Sequence, residues 1–390
     1  MRPAASAARH PLLGLAVLFA AAFTTITTET LPSGLLPLMS RALQVPESLV
    51  GLLVGAYALL ILAVTVPLVA LTSRWSRRRL LIVLMGAFAA GNLLTALAPN
   101  YSVAMAARLV AGLGHGVLWS MMAAYAASLV APHRTGRAIA GVFAANSAAL
   151  TLGVPLGTAL GQVAGWRVPF AILAGLAALV AAVARVALPD MPGTAKARPS
   201  SIRAVRLPDV RTVMVTTGLV MLGHFTLATY IAPFLLGAGI AQTGLSTALL
   251  AFGLAGVLGV IAAGAAVDRA PRGALLTALG AMTLAVAALV LLRGNAAVAA
   301  AAVWGAAYAA LPPLLQALIL KAAPGAQAAA SALFIITFNI SITAGSLLGG
   351  QLLAWHGPTA LPFAAAILTA AAVLPAARRI TLTATRASLG

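Results

Sequence analysis

Cysteine is absent from the 390 residues, so the chain holds no disulfide framework, no thiolate metal site and no thiol nucleophile. Charge is scarce as well: Asp, Glu, Lys and Arg together make up 7% of the chain, and only five residues are acidic. Soluble domains carry about 25% charged residues, so a chain that is 62% hydrophobic belongs in a bilayer. At about 20 residues per bilayer-spanning helix, the apolar content is enough for about twelve spans and leaves little for a soluble domain. An ordinary cytoplasmic enzyme is excluded. A membrane-embedded enzyme is disfavoured too, because there is no H-E-x-x-H site and no aspartate inside a span to form a dyad. No G-x-x-x-x-G-K-[ST] loop is present, which removes ATP as a direct energy source, and no cofactor or metal is implied.

The basic excess is large, +19 with five neutral histidines. It does not mark a nucleic-acid binder, because the basic residues sit in short clusters between apolar runs rather than along one groove. Runs bounded by charges, prolines or polar turns predict helices at about 12–39, 49–71, 80–98, 101–131, 137–162, 167–188, 211–237, 243–267, 274–292, 295–320, 327–354 and 358–377. The basic N-terminus before the first run resembles a secretory signal but reads as an uncleaved first span, since many spans follow. With both termini cytoplasmic, only Arg41, Arg167 and Arg293 fall outside and only Arg108 falls within a span; every other Lys and Arg is inside. Losing or adding one span would scramble this bias. The expected architecture is all-α, a membrane protein of twelve transmembrane helices in two pseudo-symmetric six-helix halves, 1–188 and 211–390, joined by a cytoplasmic linker at 189–210. An offset of 195 residues lays Ser73–Arg77 over Asp268–Arg272 and Glu29 over His224, a weak internal symmetry of the kind found in transporters.

Among the acids, only Glu29 lies inside a span. A carboxylate in hydrocarbon needs a cavity, a proton or a partner, which marks Glu29 for proton coupling or substrate binding. Arg108, the lone intramembrane cation, lies at similar depth on the fourth helix and is its natural partner; the alternative is a structural ion pair. Arg108, Gly112, His115 and Trp119 are spaced by four, three and four, which puts them on one helical face. His224 on the seventh helix, Tyr230 near it, and Trp304 and Tyr308 on the tenth add ring systems whose apolar faces and polar edges suit a sugar or an amphipathic drug. Asn146, Gln316 and Asn339 are further polar span residues. Interfacial anchoring and bonding between helices explain the same residue types equally simply. Four arginines crowd Arg74–Arg79, where they meet anionic lipid or bond the C-terminal carbonyls of neighbouring helices.

The runs TSRWSRRRLL, ARLVAGLGHGVLWSM, GVPLGTALGQVAGWRVPF, GHFTLATYIAPFLL and FNISITAGSLLGGQ together resemble the drug:proton antiporter branch of the major facilitator superfamily. Within that branch the likeness is greatest to bacterial sugar efflux transporters of the arabinose and thiogalactoside type. The resemblance covers about 12–377. It implies helices 1, 4, 7 and 10 around a central cavity, alternating access and a multi-pass place in the bacterial inner membrane. It also implies a cytoplasmic gate at Arg74, Arg77 and Arg78, echoed in the second half by Asp268 and Arg269. The family's usual glycine and aspartate before that loop are here Val69 and Ser73, so a charge relay through that aspartate cannot operate. The antiporter signature on helix 5 is matched in part by Gly153, Pro155 and Gly157. The expected function is proton-driven export of a small sugar or sugar-like compound by a monomer, with Glu29, Arg108, His115 and His224 coupling protons. His115, Trp119, His224, Tyr230, Trp304, Tyr308 and Asn339 are expected to bind substrate. Efflux of amphenicol-type antibiotics by the same fold is the alternative, and a passive channel is a third reading that needs no buried carboxylate.

Overall fold

A computed structural model describes residues 11–193, 207–267, 269–323 and 326–387. Within them twelve helices are long and apolar enough to cross a membrane. We number them α1 (Pro11–Leu43), α2 (Glu47–Thr72), α3 (Arg77–Leu97), α4 (Tyr101–Ser128), α5 (Pro132–Ala164), α6 (Arg167–Ala187), α7 (Pro208–Ala228), α8 (Gln242–Ala266), α9 (Pro271–Leu291), α10 (Gly294–Ala322), α11 (Ala329–His356) and α12 (Ala360–Ala377). No strand occurs among the described residues, as expected where every backbone polar group in hydrocarbon must be satisfied within its own segment. Each span matches one read from hydropathy, with ends displaced by a few residues except in α7, which ends at Ala228 rather than at 237. Most of the expected linker, and Asp268 of the expected gate, lie outside the described residues.

Prolines account for two interruptions, in α7 and in α5. Proline has no N–H to donate, and its ring crowds the carbonyl four residues before it. Pro233 thereby acts on the carbonyl of Thr229, and α7 stops there; a short helix, Ile231–Gly237, continues the path after Tyr230. Pro155 acts on Thr151 in the same way, and residues Ala149–Gly153 widen into a π turn inside α5.

The chain divides into two compact units. One gathers Met1–Pro32 with Leu59–Arg198; the other gathers Ser33–Ala58 with Pro199–Gly390. The α1–α2 tip thus groups with the second unit, a division that differs from one drawn at the linker alone. Within that unit the tip is fastened by hydrogen bonds: Ser346 Oγ donates to the Gly51 carbonyl at 2.7 Å, and Thr343 Oγ1 to that of Gly55 at 3.3 Å.

Lipid tails are as apolar as leucine, so spans associate through close packing rather than a hydrophobic gain, and small residues line the tightest contacts. In the first unit a Cβ on Gly91 of α3 would lie 2.8 Å from the backbone of Ala111 on α4. In the second, Gly259 of α8 faces the backbone of Ala306 on α10, and Gly305 of α10 faces the Phe252 carbonyl of α8, each nearer than a methyl group allows. Gly280 on α9 meets nothing within 4 Å. We therefore expect Gly259→Ala to lower stability by about 1–3 kcal/mol, because backbone cannot yield as a side chain can. Gly280→Ala should be neutral or slightly stabilising, and thermal unfolding of the two purified variants in the same detergent makes the comparison.

Candidate functional site

In the first unit the polar residues of α1 and α4 converge. Arg108 has no exposed surface. Its Nη1 donates to the Thr28 carbonyl at 2.5 Å and its Nη2 to the Glu29 carbonyl at 3.1 Å. The first of these has a cause in the sequence: the helical donor for Thr28 would be the N–H of residue 32, which is proline. Arg108 supplies that donor from a neighbouring helix, and the Glu29 carboxylate lies within its field. Asn92 of α3 adds a bond to the Thr28 hydroxyl at 3.0 Å.

One face of α4 then leads from this tether to the acid. His115 Nε2 stands 3.6 Å from Glu29 Oε2, an ion pair whenever the ring is protonated, and both side chains are about nine-tenths buried. The ring of His115 is stacked beside Trp119, centroids 6.3 Å apart, and Trp119 meets Phe143 of α5 edge-on at 5.2 Å. The indole Nε1 of Trp119 is buried with no hydrogen-bond partner among the described residues. A short bend at Gly114 divides α4 without turning this face away.

The second unit holds rings in place of charges. His224 of α7 lies flat on Tyr308 of α10, centroids 3.3 Å apart and planes within 3°. Trp304 stands 5.3 Å away, and Phe225 packs edge-on against His224. Phe252 of α8 closes on Trp304 at 4.9 Å, and Phe338 of α11 on Phe225 at 5.8 Å. Nδ1 of His224 and Nε1 of Trp304 are buried without partners among the described residues. A buried donor or acceptor left unmatched is costly, so two in one ring cluster suit a ligand that brings its own polar edge.

Other expected residues sit elsewhere. Tyr230 is fully buried outside this cluster; its hydroxyl donates to the Ser346 carbonyl at 2.8 Å and lies 3.3 Å from that of Ser48. Asn339 donates to the Ile335 carbonyl of its own helix, and Gln316 to Ser331 Oγ. In the arginine-rich loop, the Arg77 N–H donates to the Met191 carbonyl at 2.8 Å, and Arg79 stacks on Trp75. Arg78 reaches the Arg185 and Leu188 carbonyls at the end of α6 and the Asp190 carboxylate at 3.5 Å. Arg269, just beyond the end of α8, donates to the Ala265 carbonyl of that helix. Phe143, Phe225, Phe252 and Phe338 escaped sequence reading, because phenylalanine in an apolar span carries no signal of its own.

Twelve membrane-crossing helices, with a buried acid, histidine and arginine in one unit and an aromatic cluster in the other, have the make-up of a multi-pass transporter acting on small molecules. The chain belongs to the Major Facilitator Superfamily, matching it over residues 18–324. It is 37% identical to a chloramphenicol efflux pump of Mycobacterium tuberculosis H37Rv, covering 87% of this chain and 85% of the relative. It is 33% identical to a protein named "Probable sugar efflux transporter" from Mannheimia succiniciproducens, covering 91% and 90%. A solved structure of the nucleoside transporter NupG shares the fold, with a TM-score of 0.75 over 95% of this chain and 99% of that one at 12% identity. The family and these relatives are transporters, not enzymes.

The Arg108 tether yields a test. Arg108→Ala should destabilise the protein by about 1.5–3 kcal/mol, the range for hydrogen bonds to a charged group. Part of that loss should vanish in a Pro32→Ala background, where residue 32 regains its N–H and the Thr28 carbonyl no longer depends on Arg108. A double-mutant cycle of thermal unfolding in detergent measures the coupling; strict additivity would refute the stated role of Pro32.

Proposed function

We propose that this chain exports a small uncharged amphipathic compound bearing a flat ring, of the amphenicol kind, in exchange for protons, working as a monomer in the bacterial inner membrane with both termini inside. The observation that carries the reading is the His224–Tyr308 stack, set among further rings and two buried nitrogens without partners among the described residues. A free sugar offers several hydroxyls at once and asks for about as many polar partners, whereas this cluster supplies mainly faces of rings. Export of a sugar or sugar-like compound is the second reading. It is favoured by Trp119, a plate whose indole N–H meets no partner among the described residues, and by the relative named for sugar efflux.

Proton coupling rests on Glu29. Ionised, it balances the charge of Arg108; protonated, it leaves that charge to be answered by carbonyls alone, so proton binding alters the electrostatics of the α1–α4 contact. His115, at 3.6 Å, is the group to pass the proton on or to share it. Arg78, with the loop about it, stands as the inner gate together with Arg74, Arg77, Asp268 and Arg269.

Expression in a drug-sensitive bacterial strain should lower accumulation of labelled chloramphenicol, and collapse of the proton gradient should abolish the effect. Exclusion of thiogalactosides alone would decide for the second reading. Glu29→Gln should bind substrate as the unmodified protein does but lose proton-driven flux in proteoliposomes, because its side chain cannot release a proton. Undiminished flux would move coupling to His115 or His224. Trp304→Phe keeps a ring and loses the N–H, so substrate affinity should fall by about five- to tenfold, the effect of one hydrogen bond; unchanged binding would leave Trp304 as packing only.

A further inference from the structure

A cavity of about 610 Å³ opens in the second unit where α7 and α9 begin and α10 ends. Neither the aromatic cluster nor the acid of the first unit lines it. Its polar rim is made by Arg272, Lys321 and Asp209, and its wall by Leu275, Leu315 and Leu318. Arg272 and Lys321 are both exposed. Asp209 stands in the first turn of α7, where the helix dipole favours an acid, and it has contacts of its own. Two threonines in the lining bond their own helix, Thr212 to the Pro208 carbonyl and Thr216 to the Thr212 carbonyl. Among the described residues, two cations against one acid leave the rim net positive. The start of α9 adds to this, since its first free N–H groups meet no side-chain cap.

The ligand that fits must therefore carry a negative charge and also hydrocarbon. A free phosphate would meet the rim and leave the leucine wall facing water; a neutral amphiphile would fill the wall and leave the cations unmatched. The site also lies where membrane-spanning helices end, the level at which phospholipid headgroups sit. We propose that this cavity is a binding site for an anionic phospholipid, its phosphate held by Arg272 and Lys321 and an acyl chain laid along Leu275, Leu315 and Leu318. Basic pockets between spans are suited to this chemistry, and each cation near the headgroup contributes about 1 kcal/mol, or about fivefold in affinity.

The test uses the full chain, delipidated in neutral detergent, with phosphatidylglycerol, phosphatidylcholine and inorganic phosphate as probes. Native mass spectrometry counts retained lipid, and thermal unfolding reports stabilisation. Phosphatidylglycerol should bind about 30-fold more tightly than phosphatidylcholine. The Arg272→Ala/Lys321→Ala variant should lose that preference while unfolding as before in phosphatidylcholine. The Arg41→Ala/Arg293→Ala control removes the same charge elsewhere and should keep the preference. If the double variant fails to fold, Arg272→Gln and Lys321→Gln should each lower the preference about fivefold. Equal loss in the control, a preference that survives the substitutions, or stabilisation by inorganic phosphate as great as by phosphatidylglycerol would each overturn the proposal.

Discussion

A guanidinium buried from solvent and donating to a main-chain carbonyl that proline has deprived of its helical donor is the contact on which the polar part of this molecule depends. Hydrocarbon tolerates neither a lone cation nor an unsatisfied carbonyl, and here each answers the other. The arrangement fixes Arg108 by backbone, which cannot rotate away as a carboxylate side chain can. Glu29 is thereby relieved of a structural duty. Its carboxylate lies in the field of a cation held by main-chain carbonyls, an arrangement that suits the proton exchange proposed for it.

The two units use different chemistry at related positions. The 195-residue offset sets Glu29 over His224: in the first unit that position faces His115 at 3.6 Å, and in the second it lies flat on Tyr308 at 3.3 Å. A charge that comes and goes needs desolvation and a fixed counter-charge. Recognition of an uncharged ring needs flat apolar area with a few polar edges. Both demands are hard to meet in one spot, because rings packed round a carboxylate would withhold its proton exchange and a carboxylate among rings would repel an apolar ligand. On the function proposed above, the two units divide these demands between them.

Span number and approximate limits were legible because length and hydropathy alone decide them, and a chain this poor in charge leaves few ways to divide it. Glu29, Arg108 and His115 were legible as a group because polar side chains inside spans are rare and helical spacing places them on one face. What escaped depends on contacts between helices. The link from Pro32 to Arg108 required knowing which helix lies beside Thr28, and the phenylalanines around His224 are identical in hydropathy to those that face lipid. Tyr230 looked like a ligand group from its nearness to His224 in sequence. The break that Pro233 imposes on α7 lies between them, and the phenol ends on the Ser346 carbonyl of α11.

The arginine-rich loop shows how one substitution within a family pattern is absorbed. Ser73 stands where the family resemblance implies an acid, and its hydroxyl turns back onto the Ala70 carbonyl, so residue 73 offers the loop's cations no counter-charge. Arg78 finds replacements at the end of α6: two carbonyls at the negative pole of the helix and the carboxylate of Asp190. The bond from Arg77 N–H to the Met191 carbonyl and the seat of Gly193 against the backbone of Ser73 and Trp75 extend the same contact. The counter-charge and acceptors for Arg78 thus come from the end of α6, and the loop is secured to the last span of its own unit. Any displacement of α6 or of the segment directly after it therefore acts on the loop through these contacts.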